Sequence, residues 1–380
     1  SRINEKIDQM RHAATQDLLS RNDVIVVASV SCIYNIGSPE DYSNLSLAVS
    51  VGQKITRREL LNHLITLGYS RNEVDPKPGQ FRAKGERVEV YPSTGEKRTI
   101  IEIPNNKVSK ISEGKLDKVK SLTQLLITRI FPAHFWATPD DKQKVAISNV
   151  RNELHDYLRL LKKQSKLLEA QRLEQKTMFD LEMIEETGFC HGIENYSRHL
   201  DFRKPGEAPY TLLDFYKYAG YGNFLTFIDE SHMSIPQLRG MYFGDRSRKQ
   251  TLIEYGFRLP SAIDNRPLNF SEFSKRIGQT IYVSATPAEY EVRKANDSIV
   301  QQLIRPTGLL DPSIEVRKTE NQMKNLIKEI EERTKKNQRV LVTTITKRLA
   351  EDIAEYLVER NIKEYYLHSE IHTLERPKIL

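Results

Sequence analysis

The sequence is poor in cysteine: Cys32 and Cys190 are the only two in 380 residues. Two thiols so widely separated cannot build a disulfide framework or the paired spacing of a metal knuckle. A reducing compartment is therefore expected, the cytoplasm by default. Nor is there any run near the roughly 18 apolar residues that a membrane span requires. No basic segment followed by an apolar core stands at the start as a secretion signal would, so no membrane partner is expected. A G-x-x-x-x-G-K-[ST] phosphate-binding loop is missing, as are repeats and low-complexity tracts. What remains is the composition of a packed protein, 38% hydrophobic and 29% charged. The net charge of +7 permits a polyanionic partner without establishing one, because Lys and Arg are scattered rather than gathered. The chain opens on Ser1 and stops at Leu380 within a helical pattern, so a portion of a longer protein is expected.

Apolar periodicity divides the chain. Ile3, Ile7, Met10, Ala14 and Leu18 recur at helical spacing. The uninterrupted run Val24–Ala28 then predicts a strand buried on both faces of a parallel sheet. From about Asp41 to Trp136 the pattern changes: Thr56 and Glu59 form a capping box that opens a short helix, and Phe81–Ala83, Arg87–Tyr91 and Arg98–Ile103 predict short strands. Residues 141–187 carry long, densely charged helical patterning, a solvated arm. Strand signals return at Leu225–Ile228 and Ile281–Val283. Pro306, Gly308 and Pro312 mark a linker, beyond which Val340–Thr343 and Tyr365–Leu367 predict strands around a helix containing Leu349, Ile353 and Leu357. Strand–helix alternation on both sides of a linker predicts two α/β domains in series.

Asp229 and Glu230 fall at the C-terminal end of the Leu225–Ile228 strand, where open parallel sheets place their ligands. An Asp there can hold a Mg²⁺ carried by nucleotide phosphates, and a neighbouring Glu can orient or deprotonate an attacking water. Acidic pairs also begin ordinary solvated loops. The extension to His232 gives Asp-Glu-x-His, which resembles the second motif of superfamily 2 helicases. Ser284-Ala285-Thr286, after the Ile281–Val283 strand, resembles their third, and Ser284 and Thr286 can report the state of the phosphates to a neighbouring domain. Arg246, Arg248 and Lys249 suit phosphate contact or a solvated turn equally. Tyr196 and Arg198 pair a stacking surface with a charge, useful for single strands, although Tyr196 also suits packing.

Longer runs narrow the resemblance. Ala28–Tyr34, GIENYSRHL (Gly192–Leu200), Arg239–Leu268, Ile304–Pro312, Thr346–Leu357 and His368–Arg376 are similar to the excinuclease B subunit family of bacterial nucleotide excision repair, and the likeness runs end to end. It implies an α/β fold of two RecA-like parallel-sheet domains, both incomplete, with a small α+β insert and a helical insert. The boundaries are 1–40 and 223–305 for the first motor domain, 41–140 for the insert, 141–222 for the helical insert beside the DNA path, and 306–380 for the start of the second motor domain. The resemblance further implies ATP and Mg²⁺ as cofactors, with Asp229 on the metal, Glu230 on the water, and His232, Ser284 and Thr286 at the nucleotide. It implies damaged double-stranded DNA as a partner, met by Ser29, Ser31, Tyr34, Tyr196, Arg198, Arg246, Arg248, Lys249, Thr346 and Lys347. Arg82, Lys84 and Glu102 align with charged positions that dock the excinuclease A subunit; the middle one is Lys here, which keeps charge without bidentate geometry. The excinuclease C subunit, which carries the nuclease, would be met through a C-terminal region beyond Leu380. The phosphate loop and an aromatic β-hairpin would lie upstream of Ser1 and the arginine finger beyond Leu380, so this stretch alone is expected not to turn over ATP. His372 and Pro377 depart from the family pattern, where Asp and an apolar helix former are expected. Two other readings stay open: the transcription-repair coupling factor or another superfamily 2 translocase, and a non-enzymatic adaptor docking through residues 41–136.

Overall fold

The computed structural model describes residues 5–116, 122–296, 298–304, 308, 310–367 and 371. The fold is mixed α/β and separates into two compact units, Ser1–Val300 and Gln301–Leu380.

The first unit opens with α1 (Glu5–Ser20). Its buried positions are His12, Thr15 and Leu18, while Ile7 and Met10 are more than half exposed. The expected apolar face is thus rotated, and Ile3 lies outside the described residues. Polar groups can take the inward positions because they are satisfied there: the Thr15 hydroxyl donates to the Arg11 and His12 carbonyls, and His12 Nδ1 lies 3.0 Å from the Tyr42 hydroxyl. Val24–Ala28 forms no strand. Val24 and Val26 pack on an aromatic cluster of Tyr42, Phe131, Phe135 and Phe215, whereas Ile25 and Val27 are 92% and 97% exposed. An apolar run becomes a strand only against a partner, and none among the described residues pairs with it. Helix α2 (Pro39–Leu45) follows, with the Ser38 hydroxyl accepting from the Asp41 N–H.

The insert comprises β1 (Leu47–Ser50), α3 (Arg57–Thr66), β2 (Ser70–Arg71), β3 (Gln80–Lys84), β4 (Arg87–Tyr91), β5 (Lys97–Glu102), β6 (Lys110–Lys115), β7 (Leu122–Leu125) and β8 (Ile127–Ile130). Strands β2 to β7 lie in sequence order in one sheet, antiparallel except for β2 with β3, and β1 pairs antiparallel with β8. Strict alternation sorts the two faces. Phe81, Val88, Val90, Ile101 and Ile111 pack with Leu60 and Leu64 of α3, while Arg82, Lys84, Arg87, Glu89 and Glu102 share the other face through the cross-strand pairs Arg82–Glu89, Lys84–Arg87 and Arg87–Glu102.

Helices α4 (Asp140–Lys163) and α5 (Leu167–Thr187) pack through Leu154, Leu158 and Leu161 against Leu173, Leu181 and Ile184. After the short α6 (Ser197–Leu200) and α7 (Leu212–Tyr218) comes β9 (Thr226–Ile228), then the long α8 (Ser231–Glu254), α9 (Phe270–Arg276), β10 (Thr280–Tyr282) and α10 (Glu289–Ala295). Strands β9 and β10 are parallel, with Ile228 opposite Tyr282.

The second unit carries α11 (Gln322–Lys335) and α12 (Lys347–Val358). The expected strands at Val340–Thr343 and Tyr365–Leu367 form no ladder among the described residues, and Leu341 and Tyr365 are largely exposed. As at Val24–Ala28, the propensity is present and the pairing is not. Pro306, His372 and Pro377 lie outside the described residues.

Candidate functional site

Strand β9 ends at the buried Ile228, and the next two residues turn its carboxyl end into α8. Glu230 makes the turn in the left-handed region at φ +43°, a conformation that costs a non-glycine residue about 1 kcal/mol or more. Surrounding bonds hold it: the Ser234 hydroxyl donates to the Asp229 carbonyl at 2.8 Å, and the Met233 and Ser234 N–H groups donate to the Glu230 carbonyl. Both carboxylates point to solvent. The end of β10 closes on the same turn. The Ser231 N–H donates to the Val283 carbonyl at 3.0 Å, and His232 Nδ1 lies 2.8 Å from the Ser284 hydroxyl and 3.5 Å from the Glu230 carboxylate. The Thr286 N–H donates to the Ser284 hydroxyl at 3.1 Å. Five residues singled out from sequence, Asp229, Glu230, His232, Ser284 and Thr286, are therefore brought to one place. Among the described residues the Asp229 carboxylate has no partner, and no group of three or more His, Cys, Asp or Glu could cage a metal. One or two free carboxylates suit a Mg²⁺ that takes its remaining ligands from phosphates and water.

On the polar face of the insert, Arg82 is paired with a residue that the sequence reading missed. Glu89 is buried, yet takes Arg82 at 2.8 Å, Arg87 at 2.8 Å and the Tyr91 hydroxyl at 3.1 Å. Burial raises its carboxyl, but the Arg82 hydrogen bond and the charges of Arg87 and Arg82 outweigh that and hold it below the usual carboxylate range. The signal was legible: an acid between Val88 and Val90, in register with Arg82, has to be paired.

Residues 47–136 match the model described as the UvrB interaction domain, and residues 141–202 match the UvrB third helical domain. Over its whole length the chain is 51% identical to UvrABC system protein B of Geobacillus kaustophilus (strain HTA426) and 52% identical to that of Bacillus caldotenax, in each case spanning 57% of the relative. It is 51% identical to the protein of the same name from Staphylococcus epidermidis (strain ATCC 12228 / FDA PCI 1200), again over all of its length. These matches support the resemblance to UvrB. The chain spans just over half the length of these UvrB relatives.

The cations and aromatics expected at nucleic acid are dispersed by their partners. Tyr196 is buried and donates to Asp180 at 2.8 Å, so the packing reading holds over the stacking one. Arg198 is spent on Asp264 at 3.1 Å and Glu153 at 3.7 Å. Lys249 is buried against Asp245 at 2.8 Å, and Arg248 shares that carboxylate at 3.2 Å. Burial pulls the Lys249 ammonium below its ordinary range although Asp245 opposes it. A long basic residue on a helix cannot be sorted from sequence into solvated or paired, and here an acid four residues earlier decides it. Only Arg246 of this trio is left without a carboxylate among the described residues; its hydrogen bond goes to the Tyr242 hydroxyl. Ser29 and Ser31 are exposed with hydroxyls 2.6 Å apart. Tyr34 is half-buried beside Asp245 and Arg248, and burial raises its phenol. Thr346 caps α12 by accepting from the Leu349 N–H, and Lys347 begins that helix in the other unit. Burial pushes the Cys32 thiol to about 11 and Cys190 to about 12, which leaves neither as a reactive thiolate. No described helix is long and apolar enough to cross a membrane.

Proposed function

We propose that this chain is the central part of an ATP-dependent damage-verification protein of bacterial nucleotide excision repair. Residues 1–40 and 223–305 belong to its first motor domain and 306–380 begin the second; 41–140 dock the excinuclease A subunit, and 141–222 lie beside the DNA. The protein receives damaged DNA from that A subunit, probes it, and holds the site for the nuclease-bearing C subunit, working in the cytoplasm. What supports this reading is the linkage of the two strand ends in a chain that resembles UvrB. The Ser231 N–H bond to Val283 and the His232–Ser284 contact join the acidic pair to the segment that would relay nucleotide state.

ATP with Mg²⁺, when bound, supplies the phosphoryl-transfer chemistry that drives probing. Asp229 would hold the metal, while Glu230 would orient the water and accept its proton, held by the turn at φ +43° and by His232 at 3.5 Å. Arg82, Lys84 and Glu102 make the docking contact, with Glu89 fixing the Arg82 guanidinium.

The test is Glu230→Ala in the complete protein. DNA-stimulated phosphate release should fall by about 10²-fold, the range for losing a positioned general base, while filter binding of ATP persists and incision of a single-lesion duplex falls with the ATPase. Near-normal turnover would remove the catalytic assignment.

A further inference from the structure

Helix α8 and the helical insert border a cleft of about 240 Å³ whose lining includes Arg198, Gly206, Tyr242, Arg246, Asp264 and Arg266. Three guanidiniums meet here, and two are already committed. Arg266 makes a bidentate pair with Glu272 at 2.7 and 2.8 Å and donates to the Gly206 carbonyl. Arg198 holds Asp264, whose other oxygen accepts the Gly206 N–H at 3.0 Å. The one carboxylate on the wall is thereby consumed. Arg246 differs: it is exposed, its hydrogen bond to the Tyr242 hydroxyl is long at 3.4 Å, and no carboxylate among the described residues pairs with it. The cleft thus presents one unspent positive charge, a phenol and no free negative charge. Its volume falls below the roughly 300 Å³ at which pockets begin to enclose whole small molecules. It suits a single anionic group of something larger.

We propose that Arg246, flanked by Tyr242, holds one phosphate of a nucleic-acid strand in this cleft. The proposal rests on the reading of the chain as a DNA-handling protein and deepens it by naming one contact. Phosphate contacts fix the register of a protein on a strand without reading sequence. The fixed guanidiniums of Arg198 and Arg266 add field at the cleft without having to break their own pairs. Arg248 and Lys249, which share Asp245, contribute nothing comparable.

The experiment measures binding of a fluorescein-labelled single-stranded oligonucleotide to the 380-residue chain across a salt series. Arg246→Gln is compared with Arg248→Gln, which removes the same charge from the same helix. Losing one strand phosphate should reduce the magnitude of the log–log salt slope by about 0.7 for Arg246→Gln, with an unchanged melting temperature, and leave Arg248→Gln at the wild-type slope. A wild-type slope for Arg246→Gln, in a chain that still binds the oligonucleotide, overturns this proposal alone. Failure of the unsubstituted chain to bind the oligonucleotide overturns the DNA-handling reading and this contact with it. A parallel arm adds inorganic phosphate. If phosphate raises the melting temperature of the wild type but not of Arg246→Gln, and the oligonucleotide slopes are equal, the cleft is a free-anion site and the strand contact is wrong.

Discussion

Phe81 in the insert is fully buried, whereas Phe227 in β9 is 63% exposed. Both lie on short apolar strands. The insert sheet has α3 over one face and charged side chains on the other, so Phe81, Val88, Val90, Ile101 and Ile111 are all covered. The β9–β10 pair is apolar on both sides. Ile228 packs inward with Ile235, Leu238 and Phe273, while Phe227, Ile281 and Val283 face out, uncovered among the described residues. Half-buried antiparallel sheets close with one covering layer, and parallel strands need two. The insert therefore has a self-sufficient core. The strand ends that carry Asp229 and Ser284 rely on a one-sided core and a few hydrogen bonds.

The largest expected effect tests that contrast directly. Phe81→Ala should destabilise the insert by about 3–5 kcal/mol, the usual cost of emptying a closed aromatic site. Phe227→Ala should cost less than about 0.5 kcal/mol, as surface changes do. Urea unfolding read by peptide-resolved hydrogen exchange separates the two regions. Equal losses would mean that Phe227 is covered and that the two sheets do not differ as described.

The same contrast governs how far the sequence could be read. Strands Phe81–Ala83, Arg87–Tyr91 and Arg98–Ile103 emerged nearly at their true bounds because alternation is a local signal. So did the capping box of Thr56 and Glu59. Val24–Ala28 and Val340–Thr343 have equally strong strand propensity, but pairing is not local, and neither finds a ladder among the described residues. At the candidate site, position after an apolar strand suggested Asp229 and Glu230, the resemblance to helicase motifs added His232, Ser284 and Thr286, and the fold brings them together. Charge gave less. Whether Lys249 meets solvent or Asp245, and whether Tyr196 stacks or packs on Asp180, depends on neighbours that composition does not reveal.

A second effect, spread over several pH units, concerns the seam beside the insert, where α1 buries His12 instead of an aliphatic side chain. The ring stacks on Phe135 at 4.0 Å, with Tyr42 at 3.0 Å and Asp8 at 3.9 Å. Burial, with the charges of His134 and Arg11 adding to it, pushes its pKa down to about 3. His134 is lowered by burial too, against Asp8. The folded form resists a proton that the unfolded chain accepts below 6.5. The His12 contribution is therefore complete above pH 6.5 and is lost as pH falls from there towards about 3, at about 1.4 kcal/mol per pH unit. His12→Gln, which can still meet the Tyr42 hydroxyl, should flatten the stability–pH profile between those limits. An unchanged slope would show that another group carries the acid sensitivity.

The smallest effect asks whether the insert owes its stability to its core or to local signals. Thr56 opens α3 with a full capping box: the Glu59 N–H donates to the Thr56 hydroxyl at 3.1 Å, and the Thr56 N–H donates to the Glu59 carboxylate at 2.7 Å. These bonds are exposed, so water competes for them. Thr56→Ala should cost about 1 kcal/mol, the typical value for an N-cap, and Thr56→Ser should recover most of it because serine caps as well. That is a quarter or so of the expected Phe81→Ala loss. The ranking follows from what each residue does: Thr56 satisfies donors that water can also reach, while Phe81 fills space that nothing else can. Measured on the same unfolding transition, a capping loss equal to the Phe81 loss would place the insert's stability in α3 rather than in its closed core. The insert would then differ from the β9–β10 pair only in local order, and the contrast in layering would no longer account for their different burial.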